Sequence, residues 1–278
     1  MNCSMTDRNE ICMTPIMKAF SFTLLLLGLS ACSAQEPHQK NENPTTDAIE
    51  QLKELDEIDF YRSEHLPTNK TSVVHGSVSN GSIENSVLIP FDGKNFHYFD
   101  TNSYLLGRAF AHQAVVESLV TAYSELDSLV PNRQFTIMES ANEHGGKLFP
   151  HRTHQNGMSI DFMMPKTKDG KPDYSLDGLG AQHYLLEFDS EGRSTENPEI
   201  ELDFNTIALH LLLLDKQARK RGLKINKVII NTSLKDELFV TEYGKELKTS
   251  GIYIVQNLTK IINDIHDDHY HVDFEIIN

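Results

Sequence analysis

Cysteine is scarce in this chain. Of 278 residues three are cysteine, and Cys3, Cys12 and Cys32 all lie near the N-terminus, so no disulfide can staple the rest of the chain. Long apolar runs are missing too: the mostly apolar stretch Phe20 to Leu27 is too short to span a bilayer. Positive charge is the third shortage, with 25 Lys and Arg against 40 Asp and Glu and a formal net charge of -15. A nucleic-acid surface needs clustered cations to displace counterions, so this charge argues against a polyanion partner. The basic run Lys216 to Lys224 is more simply the end of a helix than a binding patch. The chain shows no internal repeat.

The N-terminus does contain an ordered pattern. Met17-Lys18-Ala19 precede the short apolar run, and Gly28-Leu29-Ser30-Ala31-Cys32 come after it, the order of a secretory signal. Small residues before a cysteine suit a lipoprotein-processing peptidase, so residues 1–31 are expected to be removed and Cys32 to carry a lipid. The largely polar residues before Met17 point to Met17 as the true start. Ser33, rather than an aspartate, favours the outer membrane, giving a periplasmic, membrane-anchored protein. Residues 32–70 are dominated by Glu, Gln, Asn, Lys, Thr and Pro and read as a tether. Ile49, Leu52, Leu55, Ile58 and Phe60 allow one marginal helix in it. A flexible chain of about 40 residues reaches roughly 35 Å. Residues 71–278 suffice for one well-packed domain.

Within that domain both hydrophobic periods occur. From Tyr104 to Leu129 the apolar residues, including Leu105, Phe110, Val116, Leu119 and Tyr123, fall mainly on one helical face. A second helix is expected from Phe204 to Arg221, with Asp203 as N-cap and Gly222 as its stop. A third, starting at Ser250 or Gly251, would turn Ile254, Val255, Leu258, Ile261, Ile262 and Ile265 inward. Strands are expected at Phe135 to Glu139, Ser159 to Met163, Val228 to Asn231 and His271 to Ile277. Helices and strands are interspersed without a regular βαβ count. The fold class is therefore α+β, a central, mainly antiparallel sheet with flanking helices.

The chemistry lies in two motifs. In His151-Arg152-Thr153-His154-Gln155-Asn156-Gly157-Met158-Ser159-Ile160-Asp161, a turn at Gly157 can bring the Asp161 carboxylate back beside His154. Strand alternation then puts Ser159, Asp161 and Met163 on one face and Ile160 and Phe162 in the core. In His266-Asp267-Asp268-His269-Tyr270-His271, continuing to Glu275, alternation sets His269, His271, Asp273 and Glu275 against Val272, Phe274 and Ile276. Catalytic zinc takes three protein ligands and keeps one position open, and His154, Asp161 and His271 supply a His₂-carboxylate set. The two motifs are far apart in sequence, and each has an apolar opposite face.

At these residues the chain resembles the penicillin-insensitive murein endopeptidases, zinc peptidases related to lysostaphin-type enzymes, D-Ala-D-Ala peptidases and hedgehog-like domains. Gly76-Ser77-Val78-Ser79-Asn80-Gly81-Ser82 resembles the family's Gly-Thr-x-x-Asn-Gly-Cys opening. Gly145-Gly146 with His151 to Gln155 is similar to its Gly-Gly and His-x-Ser-His-Gln signature. Ile229 to Leu238 matches the strand and loop after its central helix, and His266 to Val272 is nearly its His-Asp-Asp-His-Phe-His-Val. The resemblance implies a zinc peptidase fold, zinc on His154, Asp161 and His271, and His269 as the catalytic histidine. It places His151 and His266 at the site as further family histidines, His151 being a ligand in some metal states. His183 with Asp177 is a further candidate metal pair, though a surface histidine is the simpler reading. Gln155 and Tyr270 flank the ligands as candidate supports.

Three departures stand out. Ser82 replaces a family cysteine, Ser159 replaces an acidic residue, and Asp273 replaces an arginine that could bind a substrate carboxylate or oxyanion. The expected activity is zinc-assisted amide hydrolysis of peptidoglycan cross-links, D-Ala to meso-diaminopimelate or diaminopimelate to diaminopimelate. It requires no serine nucleophile, which accounts for penicillin insensitivity. The alternatives are a non-catalytic zinc- or wall-binding lipoprotein on the same fold, or a D,D-carboxypeptidase or amidase.

Overall fold

A computed structural model describes residues 46–277. The expected signal, Met17 and Cys32 lie outside the described residues. No helix among those described is long and apolar enough to cross a membrane.

The polar stretch read as a tether holds its helix, α1 (Thr46–Glu64). Ile58 on it is buried, and Thr101 donates a hydrogen bond to Glu54, so α1 packs against the body of the protein. Next come β1 (Val73–Ser77) and β2 (Asn80–Glu84), a hairpin, then β3 (Val87–Leu88) and β4 (Phe96–Tyr98). The single helix expected from Tyr104 to Leu129 is instead two, α2 (Thr101–Leu105) and α3 (Gln113–Leu129), with β5 (Phe110–Ala111) between them. Asp100 caps α2 by accepting from Ser103 N at 2.6 Å, and Gly107 beyond it takes φ +79°, a conformation that breaks the helix. Phe110 and Ala111 pair with β3, so tertiary pairing overrides the helical period there.

The chain continues through β6 (Phe135–Ile137), β7 (Ser159–Met163), β8 (Lys166–Lys168), β9 (Lys171–Asp173) and β10 (Ile200–Leu202). Then come α4 (Phe204–Arg219), β11 (Leu223–Ile229), α5 (Lys235–Val240), α6 (Glu242–Thr249), α7 (Lys260–Asp264) and β12 (His269–Ile276). Asp203 caps α4 by accepting from Thr206 N at 3.0 Å, as its position before the apolar period foretold.

The helix expected from residue 250 to 265 does not form. Gly251 at φ +87° closes α6, and the chain then runs extended beside β11: Val228 N donates to Tyr253 O, and Val255 N to Val228 O. Ile252 and Ile254 are buried while Tyr253 between them is exposed, a period of two. Only α7 is helical, and Ile261 on it and Ile265 just beyond it are exposed.

The central sheet has the order β11-β12-β7-β6-β4, antiparallel except for the parallel pair β4 and β6. This is the α+β architecture that the interspersed elements implied. One face is dry: Ile160, Phe162, Tyr270, Val272 and Phe274 are buried there. His210 of α4 reaches that face, its ring 4.8 Å from Phe162 and 5.0 Å from Tyr123 of α3. The other face carries the polar residues of β7 and β12.

Candidate active site

Antiparallel register decides which polar residues meet. His271 lies opposite Asp161 and Asp273 opposite Ser159, so four side chains from sequence positions 110 and 114 apart form one buried patch. Glu139 extends the patch from the end of β6, where Asp161 N donates to Glu139 O and Met138 N to Asp161 O.

The loop carrying His151 and His154 is tied to this face by backbone. Gly146 N donates to Gln155 O and to Gly81 O, and Gln155 N donates to Val78 O. Gly145 has φ +73°, and a Cβ there would sit 2.3 Å from Gln155 O, so the close approach requires glycine. His154 itself has φ +66°, a strained conformation for a non-glycine residue of the kind found at functional sites. Ser82 forms a backbone bridge to Gly145.

Asp161 is the hub. His271 Nδ1 lies 2.8 Å and His154 Nε2 3.3 Å from its Oδ1, and His151 Nδ1 lies 3.5 Å from its Oδ2. His154 and Asp161 are almost wholly buried. His151, His154 and Asp161 each offer one ligand atom, all within 4.8 Å of one another, so a metal ion could be held among them. Neither nitrogen of His154 has a hydrogen-bond partner although both are buried. Burial lowers the pKa of His154 and Asp161 only partly offsets it, so the ring is a neutral donor. A neutral, orphaned imidazole beside a buried carboxylate fits a metal ligand, and the nitrogen–oxygen donor set suits zinc.

Burial would lower the pKa of His271, but Asp273 and Asp161 outweigh it and raise it to about 10. His151 donates from Nε2 to Glu139, which Arg108 also grips, with Nη2 2.8 Å from Oε2. Burial would raise the Glu139 pKa, yet these two partners hold it at about 2. Glu139 and Arg108 thus orient His151.

His269 has its own support. Its Nδ1 lies 2.8 Å from Asp268 Oδ1, and Asp268 Oδ2 lies 2.7 Å from His183 Nδ1. Burial would lower the His269 pKa, but Asp268 more than compensates and raises it. Since Nδ1–H donates to Asp268, Nε2 is the nitrogen left for chemistry. The His266 ring lies tilted 4.8 Å from that of His269, and burial together with that neighbour lowers its pKa to about 3. A cleft of about 740 Å³ opens over the patch, lined by Asp161, His151, His266, His269 and His271 and by the isoleucines in and just after α7.

The structure corrects two expectations. His183 is fully buried, because Asp268 binds it; Asp177 pairs instead with Lys166 at 2.8 Å. Tyr270 points to the opposite face, its hydroxyl 2.6 Å from His210 Nδ1, as strand alternation between His269 and His271 demands. Gln155 reaches the carbonyl of Arg152 at 3.3 Å and braces the loop. Sequence reading also missed Glu139, Arg108 and Asp268 as supports. Asp268 could have been suspected from its place beside His269; Glu139 carried no local signal beyond a charge at the end of an apolar strand.

Buried histidines around one carboxylate, with an aspartate-backed histidine lining the same cleft, make a centre that can take a metal. The family model of the penicillin-insensitive murein endopeptidases matches residues 74–276, and the chain belongs to that family. No curated protein matches it in a sequence comparison. Membership makes the protein one of a peptidase family whose substrate is peptidoglycan.

Proposed function

We propose that the protein is a zinc-dependent endopeptidase that hydrolyses peptidoglycan cross-links, D-Ala to meso-diaminopimelate or diaminopimelate to diaminopimelate. The observation that carries this reading is the buried Asp161 with three imidazoles facing its two oxygens. His154, Asp161 and His271 would hold the zinc, with His151 beside them. Zinc supplies Lewis acidity to the scissile carbonyl and lowers the pKa of water. His269, its Nδ1 held by Asp268, takes a proton at Nε2 from the attacking water and returns it to the leaving amine.

Arg152 lines the same cleft and is exposed, so it can meet a carboxylate of the peptide stem even though position 273 is not arginine. The isoleucine wall at α7 suits the aliphatic part of such a stem. A signal ending before Cys32, with a lipid on that residue, would place this activity in the periplasm, anchored to the outer membrane.

The test is zinc content of the full-length protein together with chromatography of cross-linked muropeptides, for wild type and for His271→Ala. The expected result is about one zinc and conversion of dimers to monomers by wild type, with both lost in the variant. Shortened stems with intact dimers would indicate a carboxypeptidase, and zinc without any cleavage a wall-binding protein.

A further inference from the structure

Asp273 is a charged residue inside the buried polar patch, and its surroundings give it a task. It is buried, at 1% exposure. A lone carboxylate in such a place costs several kcal/mol, so its partners matter. Oδ1 accepts from Ser159 Oγ at 2.6 Å and lies 2.6 Å from His271 Nε2. Oδ2 pairs with Lys227 Nζ at 2.8 Å. Lys227, Asp273 and Ser159 occupy directly opposed positions on β11, β12 and β7. They form one row across the sheet, next to the row that holds Ile229, His271 and Asp161.

The two rows are joined through one imidazole. His271 donates from Nε2 to Asp273, which leaves Nδ1 facing Asp161 Oδ1 at 2.8 Å. A ring held at one nitrogen cannot turn over, and a carboxylate on the far nitrogen makes the near one a better donor. Ser159 alone, lacking a charge, could not do this, whereas a carboxylate at either 159 or 273 faces the same gap because the positions are cross-strand partners.

We infer that Asp273, braced by Ser159 and Lys227, is a positioning residue that fixes the ring and tautomer of His271, presents Nδ1 to the metal centre, and thereby sets metal affinity. The inference rests on His271 being a ligand, as in the function proposed above.

The experiment is zinc affinity of the full-length chain, read by competition with a chromophoric chelator, alongside thermal unfolding of the metal-free protein. Asp273→Ala is expected to bind zinc about 10- to 100-fold more weakly, and Asp273→Asn, which keeps the shape, should weaken in the same direction. The double variant Ser159→Asp with Asp273→Ser returns a carboxylate from the other strand and is expected to recover affinity to within about threefold of wild type. Unchanged affinity in Asp273→Ala, or a folded double variant as weak as Asp273→Ala, would overturn the inference. His271→Ala separates the two claims. If it leaves zinc binding intact the centre itself is misassigned, whereas zinc lost in His271→Ala and kept in Asp273→Ala removes only the role of Asp273.

Discussion

The two faces of the strand pair β7 and β12 are built from interleaved residues of the same two short segments, yet they have opposite physical character. On one face Phe162, Tyr270 and Val272 are sealed under α3 and α4, and the histidine there, His210, stacks on Tyr123 and meets Phe162 edge-on. Burial alone acts on it and lowers its pKa to about 3. On the other face His269 and His271 are just as buried, but Asp268, Asp161 and Asp273 reverse the effect and raise their pKa values. Burial by itself therefore does not tell what a histidine is for. The carboxylates that face it do.

Changes on one face should be felt in activity and on the other in stability. The largest effect is expected from His269→Gln, which should lower kcat by about 10²- to 10⁴-fold while zinc content stays at the wild-type level. Phe162→Ala, a neighbour of Asp161 that points the other way, should cost about 3–5 kcal/mol in denaturant unfolding, with the activity of the protein still folded changed far less. Its outcome breaks the comparison if activity falls as steeply as in His269→Gln.

A pH series sharpens the contrast. The unfolded chain protonates His210 below its ordinary 6.5, whereas the folded protein resists until about 3. Stability contributed by this residue should therefore fall as pH drops through that window, by roughly 1.4 kcal/mol per pH unit. His210→Phe should flatten the dependence relative to wild type in urea unfolding across the same range. The smallest expected effect is that of Tyr270→Phe, which removes the hydroxyl bonded to His210 Nδ1 at 2.6 Å. It should cost about 1–3 kcal/mol and leave muropeptide cleavage unchanged, although Tyr270 sits between two site histidines in the sequence.

The strands of this pair were legible because alternation is strict. Ser159 to Met163 was placed to the residue, and His269 to Ile276 begins two positions before the expected start. The isoleucines after residue 250 misled because their spacing satisfies a helix as well as a strand edge, and only pairing with Val228 decides between them. Glu139 and Arg108 were invisible as site residues because each acts through a partner distant in sequence, His151 for the first and Glu139 for the second.

By itself the sequence determined the candidate ligands and the sidedness of the strands that bear them. Both are local properties: residue type, and the period of two that sends neighbours to opposite faces. It determined the family through the same motifs. Only the tertiary structure decided which carboxylate faces which imidazole, since that depends on the register between strands more than a hundred positions apart and on a loop held by glycine contacts. Asp161 beside His271 and Glu139 behind His151 are products of that register and packing, whereas Asp268 beside His269 and Asp273 beside His271 are already neighbours along the chain.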